Sequence, residues 1–481
     1  MIGKTPEEEI ATAAAARHRR PIQPERVNGP NEPPPHTEIP ANETTSEAFL
    51  QSPAFADDAL ALIFAESNAN SLRYVAALGR WLVWSGSRWQ FDDTLMARHR
   101  ARKICREIAA DCNEPKIAKL IASAKTIGAV ERLAQADRRI AATVDQWDAA
   151  PWLLNTPAGI LELRSGKMRP HDACGYHTKI TGVAPDTKCP TPTWRSFLDR
   201  IMDHRADMIE YLQRVAGYSL TGSTQEHALF FGYGLGANGK TTFLNAITAA
   251  AGDYHKTAPI ETFTAANHDR HPTDLAGLRG ARLVTATETE EGRRWAESRI
   301  KTLTGGDKIS ARFMRQDFFE YTPQFKLLIA GNHKPGLRSV DEAIRRRFNL
   351  IPFTVTIPPD ERDESLPDKL KEELPGILAW MIEGCADWLK CGLTPPKIVS
   401  EATAAYLASE DALAAWLEDR CKREPESFTT STDLFSSWSQ WGNANGEYVG
   451  SMKRFVAALE ARNFISERRN YGRGFVGIKI G

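Results

Sequence analysis

A glycine-rich run, Gly234-Leu235-Gly236-Ala237-Asn238-Gly239-Lys240-Thr241, is the part of this chain whose residue types and spacing most plainly carry chemistry. It fills every fixed position of G-x-x-x-x-G-K-[ST]. Glycines let backbone N–H groups converge on phosphate oxygens, and a helix starting at the lysine adds the partial positive charge of its N-terminus. Lys240 would then reach the β- and γ-phosphates of a nucleotide, and the Thr241 hydroxyl would help hold Mg2+. The candidate nucleotide-binding set runs from Gly234 to Thr242. A chance Gly-rich turn is the competing reading, and context weighs against it. Residues 227–231 (HALFF) predict a short apolar strand just before the loop, and residues 242–247 (TFLNAI) open a helix just after.

Hydrolysis also needs a carboxylate that orders the metal and activates water. Residues 282–287 (RLVTAT) predict a strand capped by Glu288-Thr289-Glu290-Glu291. Glu288 is the first candidate for metal or water contact, which pairs it with Thr241 as the metal set. Glu290 is the second, and Glu291 fits a solvated turn. A further strand over residues 325–330 (FKLLIA) ends in Gly331-Asn332. An amide there can bond a γ-phosphate or place the attacking water; a turn Asn is the competing reading. Three arginines, Arg345, Arg346 and Arg347, then close a short helix before an apolar strand. Consecutive helical residues point in different directions, so at most one or two can share a target. A planar cation that completes a neighbouring subunit's site needs this residue type. Arg346 and Arg347 are both candidates, against a solvated basic helix end that suits the helix dipole.

These groups need a scaffold, and the chain is long enough to supply one. Its 481 residues allow two or three domains. The first 45 residues are an Ala tract and a Pro-rich stretch with few apolar residues, which predicts a disordered tail. Residues 46–190 predict a mixed α+β domain, with short strands around Gly86 and Gly166, and 185–192 (PDTKCPTP) a linker. Residues 191–395 alternate apolar strands with helices, the pattern of an α/β core. Residues 396–481 form a C-terminal module. Lys+Arg and Asp+Glu cancel at 61 each, so any nucleic-acid contact must come from local basic clusters. Seven cysteines without a C-x-x-C pair predict reduced thiols. No apolar run approaches the ~18 residues of a membrane span, and Glu7, Glu8 and Glu9 sit where a signal peptide would turn apolar. The expectation is a cytoplasmic protein without a membrane partner.

The loop GLGANGKT, the strand-tip ETE and the later LLIAGN, with Ile300-Lys301-Thr302-Leu303-Thr304-Gly305-Gly306-Asp307 between them, resemble superfamily 3 helicases of the phage, plasmid and poxvirus primase-helicase family. The resemblance extends through Arg346-Arg347-Phe348 to Ile351-Pro352-Phe353. It implies an AAA+-like P-loop helicase core, preceded by a mixed α+β domain and followed by a winged-helix-like module. Lys240 and Thr241 become the Walker A residues, Glu288 and Glu290 the Walker B acids, and Asn332 the sensor, with ATP and Mg2+ bound. The segment 308–321 would form a β-hairpin pointing into a ring's channel. Its Lys308, Arg312 and Arg315 suit a DNA backbone, while Phe313, Phe318 and Phe319 suit hairpin packing better than base stacking. Members of the family act as rings, usually hexamers, on single-stranded or forked DNA. Many carry an N-terminal primase module. This chain shows no D-x-D on an apolar strand, and Asp92-Asp93 fits turn chemistry, which leaves primer synthesis to a separate partner.

From Ser451 onward, seven basic residues (Lys453, Arg454, Arg462, Arg468, Arg469, Arg473 and Lys479) face two acids, Glu460 and Glu467. That asymmetry predicts nucleic-acid contact, with a solvated surface or subunit contact as the alternative. His171, Cys174, His177 and Cys189 lie close in sequence, but H-x2-C-x2-H-x11-C is not a zinc spacing. The leading expectation is an ATP-dependent DNA helicase of phage or mobile-element replication in a bacterial host. A helicase loader or packaging motor is one alternative, and a non-catalytic origin-binding protein is another.

Overall fold

The computed structural model describes residues 54–265, 273–288, 292–313, 318–337, 340–460, 462–470 and 472–481, with the side chain of Glu288 not included. The expected tail, Glu290 and Arg315 lie outside the described residues. Near the N-terminus, α1 (Asp57–Asn68) buries Leu60, Ala61, Phe64 and Ala65 along one stripe. The antiparallel sheet β1 (Leu72–Val75), β2 (Arg80–Trp84) and β3 (Trp89–Phe91) follows. Next come α2 (Met96–Ala110), α3 (Pro115–Ile121) and α4 (Ala124–Ala134), the last capped by the Ser123 side chain. Leu60, Phe64, Leu72, Ala101, Cys105 and Val130 share one core.

A second antiparallel sheet, β4 (Leu153–Thr156), β5 (Gly159–Glu162) and β6 (Lys167–Arg169), lies within the same predicted domain but packs elsewhere. Its Leu154, Leu161 and Leu163 join the core of the helices that follow, α5 (Pro192–Ile201) and α6 (Ala206–Tyr218). The Thr181–Gly182 stretch behind it is tied down by a Gly182 N–H that donates to Ala250 O at 3.0 Å.

The central element is a five-stranded, wholly parallel sheet. Its strands are β7 (Leu229–Tyr233), β8 (His255–Thr257), β9 (Leu283–Glu288), β12 (Lys326–Gly331) and β13 (Phe348–Pro352), in the order β13-β7-β12-β9-β8. Parallel sheets are covered on both faces, which is why β7, β12 and β13 are largely buried apolar runs, while the edge strand β8 is polar. Alternate residues serve opposite cores. Phe230, Leu328 and Ile351 face α5, α6, α7 (Lys240–Ala251) and α12 (Leu374–Cys391), which α11 (Leu366–Glu372) precedes. Phe231, Ile329 and Leu350 face the opposite side, with Trp295, Ile300 and Tyr406. The connections on that side carry α8 (Thr273–Ala276), α9 (Glu297–Gly305) and α10 (Glu342–Arg345). Between α9 and β12, β10 (Ile309–Ala311) and β11 (Phe319–Tyr321) pair as an antiparallel hairpin.

The helix α13 (Lys397–Ser409) packs on β13. Leu350 N–H donates to Thr403 Oγ1 at 2.9 Å, and the Trp295 indole donates to Tyr406 Oη at 3.0 Å. The sheet's core therefore runs past residue 395, where the apolar pattern of the sequence placed a boundary. Beyond it come α14 (Ala412–Arg420), β14 (Cys421–Lys422), β15 (Phe428–Thr430), α15 (Ser431–Ala444), α16 (Met452–Glu460), β16 (Ser466–Arg469), β17 (Gly472–Val476) and β18 (Lys479–Ile480). β16 and β17 form a hairpin that pairs with β15, and β14 pairs with β18, around Trp416, Trp438, Phe455 and Phe475. Among the described residues no helix is long and apolar enough to cross a membrane.

Candidate nucleotide-binding site

Parallel strands end at one edge, and here their register aligns the ends. Gly331 pairs with both Tyr233 and Glu288, and Tyr233 pairs with Pro352. The glycine loop begins one residue past Tyr233, Asn332 follows Gly331, and Glu288 is the last residue of β9. Backbone register thus delivers three of the sequence candidates to one edge of the sheet. In open α/β sheets ligands bind beyond the carboxyl ends of the strands, where the strand order reverses. β7 lies between β12 and β13, which follow it in the chain on opposite sides.

The loop's conformation explains two of its glycines, Gly234 and Gly239. Gly234 has φ 155°, and a Cβ there would lie 2.1 Å from the Phe353 carbonyl oxygen. Gly239 has φ 80°, and a Cβ would meet Ile201 Cγ2 at 2.5 Å. Ala237 is held in the left-handed region at φ 58°. The chain leaving β13 braces this shape. Asn238 Nδ2 donates to Phe353 O at 3.0 Å, and Ile357 N–H donates to Ala237 O at 2.7 Å. The tip stays open, with Leu235 78% exposed.

Lys240 begins α7 and is 7% exposed. Its Nζ donates to Gly234 O at 2.6 Å, Leu235 O at 3.4 Å and Asn332 Oδ1 at 3.3 Å. Burial lowers its pKa from the ordinary lysine value. A lysine wrapped around the carbonyls of its own open loop holds acceptors that phosphate oxygens can replace. Thr241 is exposed and Thr242 half-buried on the first turn of α7. This arrangement fits a triphosphate and its Mg2+.

The arginines lie elsewhere. Phe348 pairs with Leu229, so Arg345, Arg346 and Arg347 precede β13 at the sheet edge opposite the loop. Arg347 is 5% exposed, with Nε on Thr304 Oγ1 at 3.0 Å and Nη1 on Ala343 O at 2.8 Å. Arg345 pairs with Asp411 at 3.3 Å. Arg346 is exposed and has no ion pair among the described residues.

In the hairpin, Lys308 is exposed, and the Arg312 guanidinium sits 4.7 Å from the Phe318 ring centre. Phe319 is half-buried and stacks on Phe313 at 5.7 Å, while Phe318 is exposed. At the C-terminus four of the seven basic residues counted from the sequence are engaged by acids: Arg462 with Asp411, Arg469 with Glu467, Arg473 with Glu460 and Lys479 with Glu424. Sequence reasoning missed Asp411. It is buried, caps α14 through Ala414 N–H, and bridges Arg345 of the sheet domain to Arg462 of the C-terminal module, beside a cavity of about 310 Å3. Its one local signal is an Asp before an Ala-rich run, the mark of a helix cap.

Against known proteins, residues 61–203 match a family described as D5 N terminal like, and residues 232–347 match a family of unknown function (DUF5906). The chain is 25% identical over 346 residues to "Putative helicase L207/L206" of Acanthamoeba polyphaga mimivirus, covering 67% of this chain and 35% of that one. It is 25% identical over 354 residues to "Putative helicase 022R" of Frog virus 3 (isolate Goorha), covering 67% and 34%. These matches support a place for the chain among phage and viral primase-helicase proteins. The chain spans about a third of the length of those relatives. A solved structure of the NrS-1 C-terminal region is similar at a TM-score of 0.49 and 10% identity, covering 88% of this chain and 98% of that one.

Proposed function

We propose that this protein is an ATP-dependent DNA helicase of phage or mobile-element replication that translocates on single-stranded DNA as a ring. One observation carries the reading: Lys240, at the start of α7, stands 3.3 Å from Asn332 at the edge where β9 presents Glu288. The strand order and the loop after β7 support a superfamily 3, AAA+-like P-loop core. In this reading Lys240 exchanges its loop carbonyls for β- and γ-phosphate oxygens. Asn332 orients the γ-phosphate or the attacking water, and Glu288 with Glu290 supplies the acid. Thr241 and Glu288 would hold Mg2+, which neutralises charge between the phosphates.

The arginine's placement supports a neighbour's site as its target. Arg346 precedes the five-residue strand β13, which separates it from the loop edge of its own chain by roughly 16 Å at ~3.3 Å per residue. It therefore serves the adjacent subunit of a ring, a hexamer by family habit, while Arg347 has a structural role. Lys308 and Arg312, with Arg315, meet the DNA strand. The order of helix, strand, two helices and hairpin after Asp411 supports a winged-helix-like module, with its boundary at residues 410–411. The test is unwinding of a forked duplex and DNA-stimulated ATP hydrolysis, with Lys240→Ala and Glu288→Gln silent in both. An ATPase indifferent to single-stranded DNA would instead mark a loader or packaging motor.

A further inference from the structure

The helix α2 carries five cations, Arg98, Arg100, Arg102, Lys103 and Arg106, against one acid, Glu107, in a chain whose charges cancel as a whole. Its Ala97, Ala101 and Cys105 face the core. At about 100° per residue, Arg98, His99, Arg102, Lys103 and Arg106 fall within an arc of about 140° on the opposite side. All five are exposed. Arg98 is paired with Glu131 at 2.9 Å and Lys103 reaches Glu107 only at 3.8 Å. Arg102 and Arg106 have no acid partner among the described residues.

These cations do not serve the helix. Arg98 and His99 sit in its first turn, where the macrodipole disfavours positive charge. The anion that turn needs is already supplied by Asp92, whose carboxylate accepts Met96 N–H at 2.7 Å and Ala97 N–H at 2.8 Å. Four of the seven C-terminal basic residues are engaged by acids, whereas on α2 Arg102 and Arg106 stand one turn apart, exposed and without an acid partner among the described residues.

We infer that the outer face of α2 is a second DNA-binding surface, which grips the phosphate backbone without reading sequence. The inference rests on the helicase reading above. Each cation that neutralises a phosphate releases counterions, so the signature is a salt slope. The test uses the full chain and fluorescein-labelled single-stranded and duplex DNA, followed by anisotropy across a salt series. For Arg102→Ala/Arg106→Ala we expect affinity to fall tenfold to a hundredfold at about 0.1 M salt, with the slope of log K against log salt shallower by about 1.4–1.8. Loss on either DNA supports the surface and says which form it holds. DNA-independent ATP hydrolysis and the melting temperature stay at wild-type values. Arg102→Lys/Arg106→Lys keeps most of the affinity, because a phosphate backbone accepts a point charge. Unchanged affinity and slope on both DNAs, or equal loss in the lysine pair, overturns the inference. Wild-type protein that binds neither DNA sinks the helicase reading itself.

Discussion

The two ends of the central sheet each bury a lysine, and the two lysines are not alike. At the strand tips, Lys240 wraps onto the carbonyls of an open loop and onto one side-chain amide. At the opposite end Lys326 is 1% exposed. Its Nζ donates to Thr221 O, to Ser223 O at 3.3 Å and to Gln324 O at 3.2 Å, beneath the Tyr218 ring at 4.7 Å. Beside it Arg282 spends its guanidinium on Leu220 O, Ala150 O and Leu153 O. Burial pulls the pKa of both lysines down, and Lys326 further. Desolvation is thus common to both, and it does not mark a working residue. What separates them is whether a ligand can displace the partners. Lys240 can trade its acceptors for phosphate; Lys326 is sealed among fixed carbonyls and clamps the strand β12 to the segment that leads into β7.

The largest test of that contrast is Lys240→Ala. Hydrolysis should fall to background, a drop of at least about 10²–10³-fold, with the melting temperature unmoved because the loop's carbonyls can turn to solvent. Colorimetric phosphate release and a thermal melt on the same sample check both halves. A large loss of stability would put Lys240 in the same class as Lys326.

The same criterion divides the arginines. Arg346→Ala should lower hydrolysis in the assembled protein by about 10³-fold while leaving the fold intact. Mixing it with Lys240→Ala should recover activity at the junctions where an intact Arg346 meets an intact loop. Arg347→Ala should instead destabilise, by about 1–3 kcal/mol, because Thr304 and Ala343 lose a buried donor. Recovery by Arg347→Ala and not Arg346→Ala in the mixing assay would reverse the assignment.

Sealing carries its own cost when broken. Lys326→Met leaves the buried Thr221 carbonyl and the half-buried Ser223 and Gln324 carbonyls without this donor and should cost about 3 kcal/mol in urea unfolding, with hydrolysis per folded molecule retained. Equal stability together with lost hydrolysis would overturn the division between the two ends.

The sequence made the strand-tip edge legible because its signal is local: the spacing from Gly234 to Thr241 is contiguous, and Asn332 directly follows an apolar strand. The sealed end was not legible, since Lys326, Arg282, Thr221 and Ala150 meet only after folding and no spacing links them. Asp411 escaped for the same reason, as its arginines lie on either side of it in the chain. The Pro-rich turn before α13 suggested the break at residue 395, and only folding brings Thr403 and Tyr406 of that helix onto the sheet. Charge counting from Ser451 onward overstated the basic surface, because the Glu424 and Asp411 partners lie upstream of the counted window.

The smallest effect concerns a sealed group that titrates in an accessible range. His177 is buried near Arg282, and its Nε2 has no partner among the described residues. Burial, with Arg282 and Arg169 adding to it against Asp148, lowers its pKa to about 4. An unfolded histidine titrates near ~6.5. Between these values the unfolded chain binds the extra proton, so stability rises with pH and is lost as pH falls from about 6.5 toward 4. By pH ~5 the loss is about 2 kcal/mol. His255, also lowered to about 4, contributes a slope of its own, so the informative quantity is a difference. His177→Gln should be less sensitive to acid than the wild type by about 2 kcal/mol over this range, measured by urea unfolding at stepped pH. Parallel curves for the two proteins would show that His177 is protonated in the fold, and that this end of the sheet is less tightly sealed than its carbonyl network implies.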